Sequence, residues 1–319
     1  MVFLLCGYVL VSHSIACGEI DSNYQGTSVL VTGGCGFIGS HLVEKLVSLG
    51  AQVTVLDDLS SGNIQNIAAV MDNITYLYGS ITDLDTCLLA TRDKNIIFHL
   101  AAFVSVPAST QDPQLCHDIN IVGTQNILEA ARLNNVKRVV FSSSCAVYGE
   151  LELLCCETAQ PAPISPYGFS KLIGEIYCAE YARVFGVETV ALRYFNVYGS
   201  RQNPHGYYAG VVSKFNYNME RNLPITIFGD GMQTRDYVPV EDIVRANILM
   251  GSCDKDRVLG QVFNIATGKS ITLLDLIETL KQVHTHYTGD IIFMPERPGD
   301  IKHVAADCSK YVALCQALK

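Results

Sequence analysis

The sequence predicts an α/β fold, in which a doubly wound parallel sheet is followed by a smaller mixed α/β lobe. Segments with strand and helix patterns alternate through roughly the first 190 residues, as a parallel sheet with helical crossovers requires. A glycine-rich turn separates the first strand pattern from the first helix pattern. The chain of 319 residues is also long enough to bury a substantial core as one two-lobed unit.

The first strand and the first helix flank a loop that suits a dinucleotide. Val29–Val31 is a short apolar run typical of a buried parallel strand, and glycines follow at positions 33, 36 and 39. Such glycines let the backbone turn sharply, approach a pyrophosphate and pack the next helix against the strand. The cofactor-binding residues expected in this loop are Gly33, Gly36, Phe37, Ile38 and Gly39.

A second strand, Gln52–Asp57, ends in a carboxylate close to the distance expected after such a loop. Asp57 can accept hydrogen bonds from both hydroxyls of an adenosine ribose and would repel a 2′-phosphate, so the sequence favours NAD over NADP. Together these features predict a Rossmann-type NAD-binding domain over residues 27–193. A substrate-binding lobe over residues 194–319 and an unassigned segment over residues 1–26 complete the expected organisation.

Tyr167 and Lys171 are the candidate catalytic pair. Their spacing of four residues on a helix puts both side chains on one face, about 6 Å apart along the axis. A free tyrosine has a pKa of about 10, and bringing it toward 7 takes roughly 4 kcal/mol of phenolate stabilisation. A lysine ammonium one turn away and a cationic nicotinamide ring can supply it. Pro166 suits the first helical position, which would put Tyr167 in the first turn.

Three serines, Ser142, Ser143 and Ser144, end another β-rich run. This places their hydroxyls at the carboxyl edge of a parallel sheet, where α/β enzymes build their sites. One of them can hydrogen-bond a reacting hydroxyl group and relay its proton to Tyr167, and we expect this of Ser144. Serines at strand ends also cap helices or satisfy loop backbone, which is the alternative for Ser142 and Ser143.

Three motifs carry a family resemblance: TGGCGFIGS at 32–40, SSSCAVYG at 142–149 and SPYGFSK at 165–171. From Ser28 to Lys310 the chain resembles the extended short-chain dehydrogenase/reductase superfamily. Within it, the chain is similar to the NAD-dependent nucleotide-sugar epimerases, the UDP-glucose and UDP-N-acetylglucosamine 4-epimerases. The resemblance implies tightly bound NAD, catalysis by Tyr167, Lys171 and Ser144, and contact of Tyr167 and Lys171 with the cofactor.

The resemblance implies further cofactor contacts at Ser80, Ile81 and Ala101. Ser80 stands where many relatives have an aspartate that holds the adenine amine, which puts adenine recognition in doubt; Asp83 is expected to cap the next helix. His99 and Asn120 also match family positions. We interpret His99 as a packed residue, whereas Asn120 either approaches the site loop or bends its helix.

Substrate contacts are implied for five residues after position 194. Guanidinium forks suit phosphate oxygens, so two arginines would clamp the substrate diphosphate together with an asparagine; a surface ion pair is the alternative for each arginine. An aspartate would bind the uridine ribose, and a valine would help gate the sugar pocket. Since valine is small, and since residues 202–211 resemble the N-acetylhexosamine branch, the resemblance favours acetamido sugars. These substrate-binding residues are Asn196, Arg235, Arg297, Asp300 and Val304.

Cys145 and Ala146 indicate the type of reaction. They stand where related dehydratases have acidic residues, and neither can do the acid–base work of a glutamate. The expected reaction is therefore C4 epimerisation, in which Tyr167 takes the C4 hydroxyl proton, directly or through Ser144, and NAD takes the hydride. The 4-keto sugar then turns within the site, and the hydride and the proton return to its opposite face, which inverts C4. We expect UDP-GlcNAc/UDP-GalNAc interconversion, with UDP-Glc/UDP-Gal as a further pair.

Two other functions stay open at this stage. One is a different NAD-dependent dehydrogenase or dehydratase that acts on nucleotide sugars. The other is a non-catalytic NAD-binding protein, although such relatives normally lack Tyr167 or Lys171.

Composition excludes several partners. The net charge is −9 without a basic stripe, which argues against nucleic acid and anionic membrane surfaces. The apolar run at residues 2–11 is too short to span a bilayer and lacks a basic n-region, so we expect a cytoplasmic protein. Twelve cysteines without paired-ligand spacing are expected to be reduced, with no metal site.

The resemblance also implies assembly. It predicts a homodimer through helices near residues 113–134 and 166–185, although the apolar residues there could equally belong to the core. It further implies that the substrate lobe, which ends at residue 319, lacks the family's usual final turn and helix.

Overall fold

A parallel sheet of seven strands forms the centre of the protein. The computed structural model describes residue 15 and residues 23–150, 154–205, 210–296 and 302–318. The strands of this sheet are β1 (Ser28–Thr32), β2 (Gln52–Asp57), β3 (Ile74–Tyr78), β4 (Ile96–His99), β5 (Arg138–Ser144), β6 (Glu188–Tyr194) and, after three strands outside it, β10 (Gln261–Ile265). Their order is β3-β2-β1-β4-β5-β6-β10, and every neighbouring pair is parallel. The predicted doubly wound sheet is therefore confirmed.

Helices cover both faces of this sheet. Those described are α1 (Phe37–Ser48), α2 (Leu84–Thr91), α3 (Val106–Gln111), α4 (Pro113–His117), α5 (Gly123–Leu133), α6 (Pro166–Phe185), α7 (Val211–Glu220), α8 (Val240–Ser252), α9 (Lys255–Val258), α10 (Leu273–Val283) and α11 (Ser309–Gln316), with 3₁₀ helices at Ile64–Asn73 and Cys145–Val147 and a π-helix at Asp118–Val122. Helices α1 and α8 pack in the core on one face, and α2, α5 and α6 in the core on the other.

The alternation of side chains along β1 shows how the sheet separates two cores. Val29 and Val31 belong to the cluster with α1 and α8, whereas Leu30 between them belongs to the cluster with α2, α5 and α6. Successive residues of a strand point to opposite faces, so a strand covered on both faces needs apolar residues at every position. This explains why the sequence shows a continuous apolar run here instead of an alternating one.

Helix α6 begins where its sequence predicts. Ser165 is the N-cap, with its hydroxyl oxygen accepting from the backbone N–H of Gly168, and Pro166 occupies the first turn. The helix ends before Gly186, which has a φ of +74° and adopts the left-handed conformation common after helices. Tyr167 consequently lies in the first turn, at the end of the helix that faces the carboxyl edge of the sheet.

The segment after residue 194 forms smaller sheets and also returns to the large one. Its strands outside the large sheet are β7 (Asn196–Tyr198), β8 (Ile225–Phe228), β9 (Thr234–Pro239), β11 (Ser270–Thr272) and β12 (Ile291–Met294). Strand β9 pairs with β7 and β11, and β8 pairs with β12. Because β10 and α8 join the large sheet and its core, the two lobes interleave in sequence. The domain boundary at residue 194 stays a prediction.

The cysteines correct one expectation. Nine cysteines in the described part of the chain are free thiols, but Cys315 is disulfide-bonded. The expectation of an entirely reduced set is therefore wrong at Cys315, since pairing depends on which cysteines folding brings together.

Among the helices of the described ranges, none has the length and apolar character needed to cross a membrane.

Gly174 gives a test of the packing between α6 and β5. A Cβ atom at this position would lie 2.4 Å from Cζ of Phe141 on β5. We expect Gly174→Ala to destabilise the fold by roughly 1–3 kcal/mol through overpacking, even though alanine favours a helix by about 1 kcal/mol over glycine. Chemical denaturation measures the change. Glu180→Ala, at an exposed position of the same helix, is the control and should change stability little. A Gly174→Ala protein more stable than the wild type contradicts the close packing.

Candidate active site

A large cavity opens at the carboxyl ends of the central strands, where the strand order reverses between β1 and β4. Its volume is about 1040 Å³. A second cavity of about 580 Å³ adjoins it and shares Asn196, Val197 and Gln202 with it. The sequence-predicted residues that line the large cavity are Gly33, Gly36, Phe37, Ile38, Gly39, Asp57, Ser80, Ile81, Ala101, Ser144, Tyr167, Lys171 and Asn196.

The glycine loop packs too closely against neighbouring backbone to hold side chains at positions 33 and 39. Gly33 has a φ of +70°, and a Cβ there would lie 2.8 Å from the backbone nitrogen of Ala101. A Cβ on Gly39 would lie 2.1 Å from the carbonyl oxygen of Gly33. Helix α1 follows with Gly36 as N-cap and no side-chain cap, so its first N–H groups lack intrahelical acceptors at the cavity wall. This loop fits the pyrophosphate of a dinucleotide.

Asp57 is held in place at the end of β2. Its Oδ2 accepts from the backbone N–H of Cys35 and its Oδ1 from that of Leu59, each at 2.8 Å. Burial raises the pKa of Asp57, and these two hydrogen bonds oppose the rise. Each carboxylate oxygen has a further acceptor site, which suits a ribose hydroxyl.

His99 ties β4 to its neighbours beneath the cavity. Its Nδ1 lies 2.8 Å from Thr32 Oγ1, and its Nε2 lies 3.0 Å from Thr124 Oγ1 on α5. Thr32 Oγ1 also accepts from the N–H groups of Leu100 and Ala101, so its own proton goes to Nδ1 and His99 carries its proton on Nε2. Burial and the charge of Lys171 lower the pKa of His99 to about 3. His99 is a packed residue, as its sequence context indicates.

The far end of the cavity contains Ser80 and Ile81. The Ser80 hydroxyl oxygen accepts from Thr82 Oγ1 at 3.0 Å, and the Ile81 carbonyl oxygen accepts from Asn126 Nδ2 at 3.0 Å. Asp83 caps α2 by accepting from the backbone N–H of Asp85 at 3.2 Å, as the sequence predicts.

Tyr167 lies on the cavity wall and is only 8% exposed. Burial raises the pKa of its phenol well above the usual range, while a hydrogen bond with the Ser144 side chain opposes the rise; the thiols of Cys145 and Cys116 add to it. The backbone N–H of Tyr167 donates to Ser109 Oγ at 3.2 Å, which fixes the start of α6. Burial is the main cause of the raised pKa, and it favours the neutral phenol.

Lys171 points into the same region from the next turn of α6. Its Nζ donates to the carbonyl oxygen of Ser142 at 2.8 Å and lies 5.9 Å from the centroid of the Tyr167 ring. Burial lowers the pKa of Lys171 to about 8. Its side chain therefore still carries a positive charge on most molecules at pH 7.

The three serines at the end of β5 have different partners. Ser142 offers its carbonyl oxygen to Lys171, and Ser143 donates its hydroxyl proton to Glu175 Oε1. Ser144 Oγ accepts from the backbone N–H of Ala146 at 3.1 Å and also contacts the phenol of Tyr167. Ser144 is thus the serine whose hydroxyl reaches Tyr167, and it also caps the following 3₁₀ helix.

The residues predicted to bind substrate are separated in the structure. Asn196 lies where the two cavities adjoin and donates through Nδ2 to the carbonyl oxygen of Asp236 at 3.1 Å. Arg235 lines the second cavity, and its NH1 donates to the Thr234 carbonyl oxygen at 2.9 Å. Val304 is half-buried against the core and is not among the described residues lining either cavity. Arg297 and Asp300 lie outside the described residues.

Asn120 has a structural position that the sequence left open. Its Oδ1 accepts from the backbone N–H of Phe103 at 2.7 Å, and its Nδ2 donates to the Phe103 carbonyl oxygen and to Ser170 Oγ. Asn120 therefore connects the loop after β4 to α6, from within the π-helix.

Sequence reasoning missed a buried ion pair next to the site. Arg193 Nε and NH2 donate to the two carboxylate oxygens of Glu175 at 2.8 and 2.7 Å. The pair has one sequence signal, the spacing of four residues between Lys171 and Glu175 on α6.

In the part of the chain that the structure describes, no group of three or more His, Cys, Asp or Glu side chains could hold a metal ion.

Comparison with known proteins identifies relatives over most of the chain. The model of the NAD dependent epimerase/dehydratase family matches residues 29–266. A putative UDP-glucose 4-epimerase of Methanocaldococcus jannaschii is 39% identical over 289 residues, which cover 90% of this chain and 92% of the relative.

Two solved structures are similarly close. UDP-N-acetylglucosamine 4-epimerase of Methanobrevibacter ruminantium M1, in complex with UDP-N-acetylmuramic acid, is 39% identical with a TM-score of 0.85 and covers 90% of this chain and 91% of that one. UDP-glucose 4-epimerase of Thermotoga maritima, with UDP-glucose, is also 39% identical, with a TM-score of 0.84, covering 92% of this chain and 96% of that one.

The neutral state of His99 gives a pH dependence of stability. Its pKa is about 3 in the folded protein against an ordinary value of 6.5. Below pH 6.5 the unfolded chain binds a proton that the folded protein does not, so the stability contributed by His99 is complete above pH 6.5. It falls toward pH 3 by about 1.4 kcal/mol per pH unit.

Urea unfolding between about pH 7 and pH 5 measures this dependence. His99→Gln, which cannot titrate, should show a shallower slope than the wild type. His117→Gln, at an exposed position, is the control and should keep the wild-type slope. Equal slopes for wild type and His99→Gln contradict a buried neutral histidine.

Proposed function

This chain belongs to the NAD dependent epimerase/dehydratase family, and from that membership we propose that it inverts C4 of a UDP-sugar through a transient 4-keto intermediate. It is an NAD-dependent isomerase of the UDP-sugar 4-epimerase type. The observation that carries the assignment is that Tyr167, Lys171 and Ser144 line the same cavity as the glycine loop. We further propose UDP-GlcNAc/UDP-GalNAc as the preferred pair, with UDP-Glc/UDP-Gal also accepted.

The proposed NAD site follows the cavity wall. The loop from Gly33 to Gly39 holds the pyrophosphate, Asp57 accepts from the adenosine ribose, and Ser80 and Ile81 flank the adenine. Ala101, Tyr167 and Lys171 lie at the nicotinamide end. When bound, NAD⁺ supplies a hydride acceptor for C4 and a positive charge beside the phenol.

Proton transfer is the task of Tyr167 and Ser144. A hydrogen bond with the Ser144 side chain lowers the pKa of the phenol, so Ser144 is placed to accept a hydrogen bond from the C4 hydroxyl group and to relay its proton to Tyr167. Burial raises the pKa of Tyr167, so the phenol needs nearby positive charge before it can act as a base. Lys171, held 5.9 Å from the ring, supplies part of that charge.

The residues after Ser144 favour epimerisation over dehydration. Burial raises the pKa of Cys145 to about 12, so its thiol is a poor proton acceptor near neutral pH. Ala146 has no group that titrates. Elimination of water from the sugar needs an additional acid–base group, and neither position provides one.

The second cavity suits the nucleotide diphosphate. Arg235 on its wall offers a guanidinium for phosphate oxygens, and Asn196 lies at the junction with the large cavity. We propose that Arg297 and Asp300 complete this part of the site. The sugar would then lie beside Tyr167, between the two cavities.

The preference for acetamido sugars rests on sequence. The UDP-N-acetylglucosamine 4-epimerase and the UDP-glucose 4-epimerase described above are equally similar to this chain, at 39% identity each. The small side chain of Val304 and the segment at residues 202–211 support the acetamido pair.

We also propose a homodimer in the cytoplasm. Phe169 and Ile176 on α6 are 52% and 57% exposed, and Leu115 on α4 is 43% exposed. Leu128 and Ala131 on α5 are core residues instead. Exposed apolar side chains on adjoining helices support an interface with a second copy.

Replacing Tyr167 tests the reaction. Tyr167→Phe removes the hydroxyl that takes the proton, and we expect kcat to fall at least roughly 100-fold while NAD stays bound. Chromatographic separation of the C4 epimers gives kcat, and NAD released on denaturation gives the bound fraction. Tyr177→Phe on the same helix is the control and should keep kcat. Near-normal epimerisation by Tyr167→Phe contradicts the assignment.

The sugar preference has its own test. Purified protein incubated with UDP-GlcNAc or UDP-Glc, without added NAD, should produce both C4 epimers, with a higher kcat/KM for UDP-GlcNAc. Val304→Tyr tests the gating role that the resemblance implies: it should lower kcat/KM for UDP-GlcNAc by about 10-fold and leave that for UDP-Glc within about 3-fold. Unchanged kcat/KM for both sugars shows that Val304, which lines neither cavity among the described residues, is not the gate. If the enzyme does not convert UDP-GlcNAc, the proposed preference for acetamido sugars is wrong. Accumulation of NADH favours a dehydrogenase instead.

A further inference from the structure

Helix α6 and strand β5 meet through a series of three polar contacts, of which only two involve the proposed catalytic residues. Tyr167, Lys171 and Glu175 follow one another at intervals of four residues on α6. Their partners are three consecutive residues of β5: Tyr167 contacts the Ser144 hydroxyl, Lys171 the Ser142 carbonyl oxygen, and Glu175 the Ser143 hydroxyl. The third contact has no role in the reaction described above.

We propose that Glu175, clamped by Arg193, is a positioning residue that fixes the end of β5 against α6 and so sets the geometry of proton transfer between Ser144 and Tyr167. This inference rests on the proposed function. Glu175 touches neither the phenol nor the ammonium in any described contact, and it acts only through Ser143.

Burial and geometry make this contact rigid. Glu175 is 7% exposed and Arg193 3% exposed, so solvent competes little for their hydrogen bonds. The guanidinium binds both carboxylate oxygens, at 2.8 and 2.7 Å, which fixes the orientation of the carboxylate as well as its position. The position of Oε1 is then fixed, and it accepts a hydrogen bond from the Ser143 hydroxyl.

Arg193 is anchored on the sheet itself. It lies directly opposite Ser143 in the register of β5 and β6. Its guanidinium carbon lies 4.6 Å from the ring centroid of Tyr148, which restrains the side chain from another direction. The carboxylate of α6 is therefore tied to two neighbouring strands at once, next to the serine that contacts Tyr167.

Stability alone is a weak reason for such a pair. Removing two charges from water is costly, and apolar residues of similar size often serve the fold as well. A fixed geometry is a better reason at this place, because displacement of reacting groups by about 1 Å can lower a rate on the order of 100-fold. Ser144 follows Ser143 directly, so a shift at Ser143 moves the hydroxyl that faces the phenol.

Glu175→Gln tests the inference. The substitution keeps the shape of the side chain but removes the charge that holds the guanidinium. We expect kcat for the UDP-sugar to fall roughly 10- to 100-fold, while KM stays within about 3-fold and the bound NAD fraction is unchanged. A pair that only stabilised the fold would lower the melting temperature without this selective loss of kcat.

The matched control is a second ion pair that involves β6, in this case with β5; its arginine is buried and its glutamate is half-buried. Arg138 and Glu188 face each other at the opposite end of β5 and β6, with NH2 and Oε2 2.6 Å apart. Glu188→Gln removes a comparable charge far from the cavity, so it should lower stability but keep kcat within about 3-fold of the wild type. Equal losses of kcat in Glu175→Gln and Glu188→Gln overturn the inference.

Ser143 provides a second variant that leaves both charges of the pair intact. Ser143→Ala removes only the hydroxyl that donates a hydrogen bond to Glu175. It tests the positioning role of Glu175 even if Glu175→Gln does not fold. We expect Ser143→Ala to lose kcat in the same way and Ser143→Thr, which keeps a hydroxyl, to recover much of it. Full activity in Ser143→Ala overturns the positioning role but leaves the proposed function intact. A wild-type protein that epimerises no UDP-sugar overturns the proposed function and, with it, the positioning role.

Discussion

The contact between the first turns of α6 and the end of β5 determines the geometry of the candidate site. Both elements carry polar groups into a largely buried layer, where unsatisfied donors and acceptors are costly. The sequence of partners from Ser142 to Ser144 satisfies these groups one by one. Close approach is possible because Gly174 presents no side chain to Phe141. The positions of Tyr167 and Lys171 are therefore consequences of how the helix packs.

Burial affects the charged groups of this layer in opposite directions. It raises the pKa of Tyr167 and lowers those of Lys171 and His99, because desolvation disfavours the charged form of every group. Before the cofactor binds, the site thus contains a neutral phenol, a neutral imidazole and a lysine with a lowered pKa. In such surroundings, added positive charge acts strongly on the phenol, since little water screens it. A buried site therefore suits a reaction in which Tyr167 becomes an effective base once positively charged NAD⁺ is bound beside it.

The local parts of the site were predictable from sequence. The glycines at 33, 36 and 39, the carboxylate at the end of β2 and the cap of α6 depend on residues within a few positions of each other. All the residues predicted to bind the cofactor line one cavity. The pairing of Glu175 with Arg193 and the bridge made by Asn120 were not predicted, because their partners are 17 to 50 residues away in sequence. Spacing gives no information about such contacts.

The fold class, the residues expected to bind the cofactor and the tyrosine–lysine pair could be predicted without coordinates, since strand and helix periodicity and glycine-dependent turns are local properties of the chain. The three-dimensional packing was needed to show which serine interacts with the phenol and which charged side chains are buried. It also placed Asn196 at the junction of the two cavities, with Arg235 in the second and Val304 lining neither within the described residues. These features depend on strand order and on helix packing, which bring together residues that are distant in sequence and change the energy of each charge through burial.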